Sequence, residues 1–228
     1  MKMRIISSPL LLLAVCLLCA VTARAQKSDF PVIQVEAGPS WTMDMDGRLP
    51  VGAVAGEVDL NYDTGYRVDV GFGYMLRQGG LFSYKSTAMG LDLAPEIEVG
   101  LIYNSGHAEV AIPETPVLRL GIDAYQVPFL ANLVFRGHFI NERLTFAFGG
   151  GAGGLASFLE ASGAGSDLSE NDLSFAYQLL AGIQYDLSSN MTVGLGYKFL
   201  ATPDLEFDDV DLDGLANHTV ALSFSWIF

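Results

Sequence analysis

The sequence predicts an all-β chain, folded as an eight-stranded antiparallel up-and-down transmembrane β-barrel. Three observations predict it. The chain is half hydrophobic yet carries a formal charge of −14. Eight of its segments alternate apolar residues with small or polar ones, the period of a strand. Beyond the first 25 residues no apolar run approaches the roughly 20 residues of a spanning helix. In a bilayer such a chain satisfies its backbone only by closing a sheet on itself.

The first element is a leader. "MKMRIISSPLLLLAVCLLCAVTARAQ" has a basic start at Lys2 and Arg4, an apolar core over 10–21 and Ala23-Arg24-Ala25 before Gln26. This is the pattern of a signal peptide cut after Ala25. Residues 1–25 are therefore expected to be a signal peptide and 26–228 the barrel domain. Both cysteines, Cys16 and Cys19, fall in the leader, behind Val15 and Leu18 rather than the small residue of a lipoprotein site. No thiol chemistry is expected in the mature chain. Cleavage leaves 9 basic residues against 26 acidic ones, a charge of −17. Such acidity excludes nucleic acid, whose phosphates demand a basic surface.

The strands follow in order. The first, 32–41, sets Ile33, Val35, Ala37 and Trp41 against Gln34, Glu36, Gly38 and Ser40. The second, 66–76, opposes Val68, Val70, Phe72 and Tyr74 to Arg67, Asp69, Gly71 and Gly73. In the third, Leu91 to Tyr103 alternate with Asp92, Glu96, Glu98 and Gly100. The fourth carries Tyr125, Val127, Phe129 and Leu133 on one face, with Gln126, Asn132, Arg136 and His138 on the other. The fifth begins at Leu144 with Phe146 and Phe148. The sixth opposes Phe175, Tyr177, Leu179 and Ile183 to Gln178, Gly182 and Gln184. The seventh opposes Val193, Leu195 and Tyr197 to Thr192, Gly194 and Lys198. The eighth is the chain end, "NHTVALSFSWIF", with His218, Val220, Leu222, Phe224, Trp226 and Phe228 on one face.

Connection lengths agree with this reading. "INER" (140–143) and "LSSN" (187–190) are tight turns, whereas the stretches near 42–65, 105–122, 160–172 and 201–216 are long. Short periplasmic turns and long outer loops belong to membrane barrels. "RQGGLFSYKSTAMG" (77–90) is long for a turn, so the third strand has room to start near Phe82. The wholly apolar face, with aromatics towards its ends, is expected to meet lipid. A soluble ligand-binding barrel would invert that polarity.

The other face brings Glu36, Asp69, Asp92, Glu96 and Glu98 together with Arg67, Arg136 and Lys198. In eight strands side chains fill the lumen, and charge buried there has to be paired. These residues are expected to form lumen ion pairs, with Arg136 meeting Glu96 or Glu98 from the neighbouring strand. Carboxylate pairs also serve acid/base chemistry, which leaves catalysis or conduction as the other reading.

Three further motifs carry a functional signal. "GGGAGG" formally holds G-x-G-x-x-G at Gly149, Gly151 and Gly154, but no helix pattern follows it, as a dinucleotide site requires. Its glycines read instead as relief of crowding in a narrow barrel. "DLEFDDVDLDG" (204–214) opens like a calcium loop at Asp209, Asp211 and Asp213, yet the twelfth position falls on Val220. It reads as a solvated acidic loop, the alternative being a divalent ion shared with lipopolysaccharide. Outer-membrane lipid A deacylases place a serine two residues from a histidine; here Val220 stands two after His218.

"YQVPFLANLVFRGHFINERLTFAFGGGAGG", "FAYQLLAGIQYDLSSNMTVGLGYKF" and "GYRVDVGFGYML" with "APEIEVGLIYN" resemble the small outer-membrane barrels of the OmpA transmembrane-domain and opacity-protein type. The resemblance covers most of 31–228 and implies the cell outer membrane as location. It also implies that the aromatic last strand, Phe224, Trp226 and Phe228, is an assembly signal read by the barrel-assembly machinery. No OmpA-like peptidoglycan-binding domain is expected to follow. The expected role is a structural or surface-interaction barrel with a plugged lumen, whose extracellular loops bind an unidentified ligand. A narrow small-solute channel and a lipid-modifying enzyme are the alternatives. Enzyme activity, cofactor and metal are not expected; lipid and lipopolysaccharide are the expected partners of a monomer.

Overall fold

The structure, a computed structural model, describes residues 30–51, 54–76, 84–85, 89–111, 117–139, 143–163, 166–203, 205–207, 210–212 and 214–228. The leader lies outside them, as do residues 204, 208, 209 and 213 of the acidic stretch. Among the described residues there are thirteen strands: β1 Phe30–Thr42, β2 Met45–Val51, β3 Val54–Tyr62, β4 Gly65–Met75, β5 Tyr84–Lys85, β6 Met89–Ala111 and β7 Leu118–Phe139. Then come β8 Leu144–Gly163, β9 Ser166–Asp186, β10 Met191–Ala201, β11 Leu205–Phe207, β12 Val210–Leu212 and β13 Ala216–Ile227.

Eight of them close a ring of antiparallel neighbours, β1-β4-β6-β7-β8-β9-β10-β13 and back to β1. The register fixes its dimensions. From Glu36 the pairing runs through Asp69 to Gly100 on β6. Followed the other way, through Ser223, Gly194, Gln184, Thr145 and His138, it reaches Gly90. The stagger around the ring is therefore 10 residues. With a rise of ~3.3 Å and a strand spacing of ~4.8 Å, eight strands at this stagger tilt by about 40° and enclose a radius of roughly 8 Å. That bore is only as wide as the side chains that line it.

The chain end closes the ring. Ile227 N–H donates to Asn190 O at 3.0 Å and Phe228 N–H to Pro31 O at 3.1 Å. The final residue is thus tied on the side of β1, where an open edge in lipid would leave each backbone group unsatisfied by several kcal/mol.

The long connections are not the open loops that the sequence suggested. Residues 105–111 and 118–122 continue β6 and β7, and 160–163 and 166–172 continue β8 and β9. The stretches 42–65 and 201–216 hold β2 with β3 and β11 with β12. These continue the ring strands in step: Ser40↔Gly65 is followed by Met45↔Leu60, and Thr42↔Asn217 by Gly47↔Leu212. Only against β6 does the count change. Tyr66 faces Tyr103 but Tyr62 faces Gly106, so one extra residue bulges on the β3–β4 side. The expected start near Phe82 lies outside the described residues; β6 itself begins at Met89.

Polarity reverses along these long strands. Between the girdles the outer face is Val68, Val70, Phe72, Val99, Phe129, Leu195 and their like, all exposed. Beyond Trp41, Tyr66, Tyr103 and Tyr125, the outer positions become His107, Glu109, Arg119 and Asp123, while the inner ones become apolar. Ala108, Val110, Ile122 and Leu200 are buried there with Met45, Val58 and Leu60 from β2 and β3, and Ile102, Leu130 and Leu155 carry the same cluster down past the girdle. Lipid surrounds the lower part and water the upper, so the hydrophobic effect drives apolar side chains outward below and inward above.

Candidate functional site

The lumen holds a charged cluster, built by inward positions of six strands. Arg67 on β4 is fully buried, with Nε 2.9 Å from Asp69 and Nη2 2.7 Å from Glu98. The same nitrogen donates to Gln178 Oε1 at 2.7 Å. Gln178 belongs to β9, four places round the ring from β4, so this contact spans the full bore. Lys198 on β10 stands 2.8 Å from Asp69 and 3.0 Å from Glu98 and also contacts Glu36. Asn132 Nδ2 donates to Glu98 Oε2 at 2.9 Å.

Arg136 lies towards the terminal end of the ring. Its Nη2 is 2.5 Å from Glu96 Oε1 and 3.5 Å from Gln34 Oε1. Gln34 links this pair to the main cluster, donating to Glu36 Oε1 at 2.7 Å and accepting from Ser225 at 2.9 Å. Of the two partners the sequence left open for Arg136, the contact falls on Glu96. Asp92 is buried and opposite Arg136 in register.

Small residues make the room. A Cβ at Gly100 would stand 2.0 Å from Asp69 Oδ1, and one at Gly151 1.9 Å from Asn132 Oδ1. Gly149, Gly151 and Gly153 of "GGGAGG" are thus inner wall within β8, which continues as strand beyond them and is paired antiparallel on both sides. A nucleotide-binding turn has no place there. Beside the cluster a cavity of about 40 Å³ is bordered by Glu36, Glu96, Glu98, Arg136, Lys198 and Gln184, room for a water molecule or two.

The sequence reading did not anticipate two features of the lumen. Alternation puts Gln178 and Asn132 on the inner face but not in the cluster, because a strand pattern says nothing about which strands stand opposite. Above the charges, Ser40, Thr42, Asn104, Asn217 and Thr219 form a second buried network. In it Asn217 Nδ2 donates to Ser40 Oγ at 2.7 Å and Thr42 Oγ1 at 2.9 Å, and Thr42 donates to Asn104 Oδ1 at 2.9 Å. Recurrent Asn and Thr on the inner faces of the first, third and eighth strands were the available signal.

On the outer face Phe224, Trp226 and Phe228 are exposed towards the lipid, the last two rings stacked at 6.1 Å. Tyr66, Tyr103 and Tyr125 form a ladder at 5.3 and 5.0 Å in the opposite girdle. His107 is exposed beside Glu109, and the His138 side chain lies outside what is described. Among the described residues no group of three or more metal-ligating side chains converges. The Asp209–Asp213 motif lies largely outside them.

A closed antiparallel ring with a lipid-facing apolar belt, two aromatic girdles and a polar interior defines an outer-membrane β-barrel. The family model for the outer membrane protein beta-barrel domain matches residues 11–228, and the chain belongs to that family. Its location is the outer membrane of Gram-negative bacteria. No curated protein matches the sequence. Among solved structures, the Escherichia coli outer membrane protease OmpT is 7% identical, with 90% of this chain and 99% of that one covered and a TM-score of 0.52. Neisserial surface protein A is 13% identical, covering 87% of this chain and 97% of that one at a TM-score of 0.46. Ail, the attachment invasion locus protein of Yersinia pestis, is 17% identical, covering 86% and 98% at 0.39. At these identities the likeness concerns the fold alone.

Proposed function

We propose that the chain is a non-enzymatic barrel with a plugged lumen, whose hairpins project beyond the membrane as an interaction surface. The observation that carries this reading is the filling of the bore at successive levels. The Arg67–Glu98–Lys198 cluster occupies one level, and the apolar layer around Ile102, Leu155 and Leu200 occupies the next. A solute would have to break both, and separating buried ion pairs costs about 3–5 kcal/mol for each unpaired partner.

The cavity beside Glu36, Glu96 and Arg136 favours the second reading, a narrow channel. Planar-bilayer recordings separate the two. The plugged barrel gives no unitary conductance at moderate voltage. Steps whose size changes in Glu98→Gln would establish conduction and sink the proposal. For the surface role, shortening β6–β7 across 105–122 should leave the barrel folded while abolishing any binding to cells or envelope partners.

A further inference from the structure

Among the described residues the membrane-facing surface of the ring carries one imidazole, at its rim. Outward positions of the ring strands between the girdles are aliphatic, aromatic, proline or glycine. Among the described residues, His218 on β13 is the single outward side chain of this belt that can carry a positive charge. An ionisable side chain on the membrane-facing surface is rare and marks a candidate site. Its ring is fixed in place: Tyr197 Oη lies 2.7 Å from Nδ1, and the Phe199 ring centroid lies 5.1 Å away. Register puts Trp41 on its other side, so it belongs to the girdle at the hairpin-bearing end.

Proton counting shows what the pair offers. A neutral imidazole and a phenol bring two hydrogen-bonding protons, and their mutual bond uses one. One N–H or O–H is left over, or two when the ring is protonated. No hydrogen bond to another described side chain takes it up. At the girdle this donor is within reach of the headgroup boundary, where the strongest acceptor is a lipid phosphate. Trp41 and Phe199 supply the apolar wall that such a lipid needs immediately below its headgroup.

We propose that Tyr197 and His218, framed by Trp41 and Phe199, bind the phosphorylated headgroup of an outer-leaflet glycolipid. The test uses the full barrel in dodecyl maltoside micelles, which carry no phosphate. Bisphosphorylated lipid A, its dephosphorylated counterpart and inorganic phosphate are added in separate arms. Native mass spectrometry reads the lipid retained, and NMR reads the His218 ring signals. His218→Phe should retain lipid A about tenfold less well, as loss of one hydrogen bond to a charged acceptor requires, and Tyr197→Phe should lose less. The ring signals of the unaltered protein should move with lipid A and with neither other ligand. Equal retention by the protein and its His218→Phe variant overturns the proposal. So do ring shifts that dephosphorylated lipid or free phosphate reproduces. The NMR arms need no variant, so a folding defect in His218→Phe leaves the test intact.

Discussion

Replacing Arg67 with methionine removes a guanidinium that is 1% exposed and serves three partners, Asp69, Glu98 and Gln178. Methionine keeps much of the volume, so the packing loss is small and the effect reports charge. The variant leaves Asp69 and Glu98 with Lys198, which is also shared with Glu36. Breaking a buried pair in this way costs about 3–5 kcal/mol. With a urea slope of about 2–3 kcal/mol per molar, the unfolding midpoint should fall by about 1–2.5 M. Trp41 and Trp226, the two tryptophans of the chain, both face outward and report the transition by fluorescence. Adding Glu98→Gln to Arg67→Met removes one orphaned charge and should recover part of the loss, with a coupling of about 1–3 kcal/mol. An unchanged midpoint, or strict additivity of the two substitutions, would refute the claim that paired charge holds the lumen together.

Arg136→Met should couple to Glu96→Gln by about 1–3 kcal/mol and to Glu98→Gln by less than about 0.5, because the direct contact is with Glu96. The same urea titrations measure both cycles. Gly153→Ala should destabilise by about 1–3 kcal/mol, since its Cβ would stand 1.9 Å from the Phe129 carbonyl oxygen. The adjacent Gly154→Ala, with 3.7 Å to Leu173 Cδ1, should be neutral, and equal effects would show that the wall is not tight. Deleting Phe228 should leave a purified barrel with heat-modifiable gel mobility but lower its outer-membrane level in cells sharply. Equal levels would argue against an assembly signal. Protease added to intact cells should cut near 163–166, at the tip of β8–β9, and spare 187–190; cleavage at the latter would invert the topology.

Alternation along each segment was enough to read the eight strands, their two faces and the membrane. A period of two is a local property, visible wherever one side of a strand meets lipid and the other does not. The inward charges could be named for the same reason. Their partners could not. Arg67 finds Gln178 across the bore and Lys198 finds Asp69 three places round the ring, and both depend on a stagger of 10 residues that no single strand encodes. The extent of the strands was also hidden. Past Tyr103 and before Tyr125 the alternation continues through Ala108, Val110, Leu120 and Ile122, but with apolar residues now inside and charges outside. A pattern read as one continuous lipid-facing stripe ends at the girdle and so looks like the start of a loop. The sequence determines which residues share a face. Only the closed ring decides which medium that face meets at each height, because the solvent changes from lipid to water partway along the same strand.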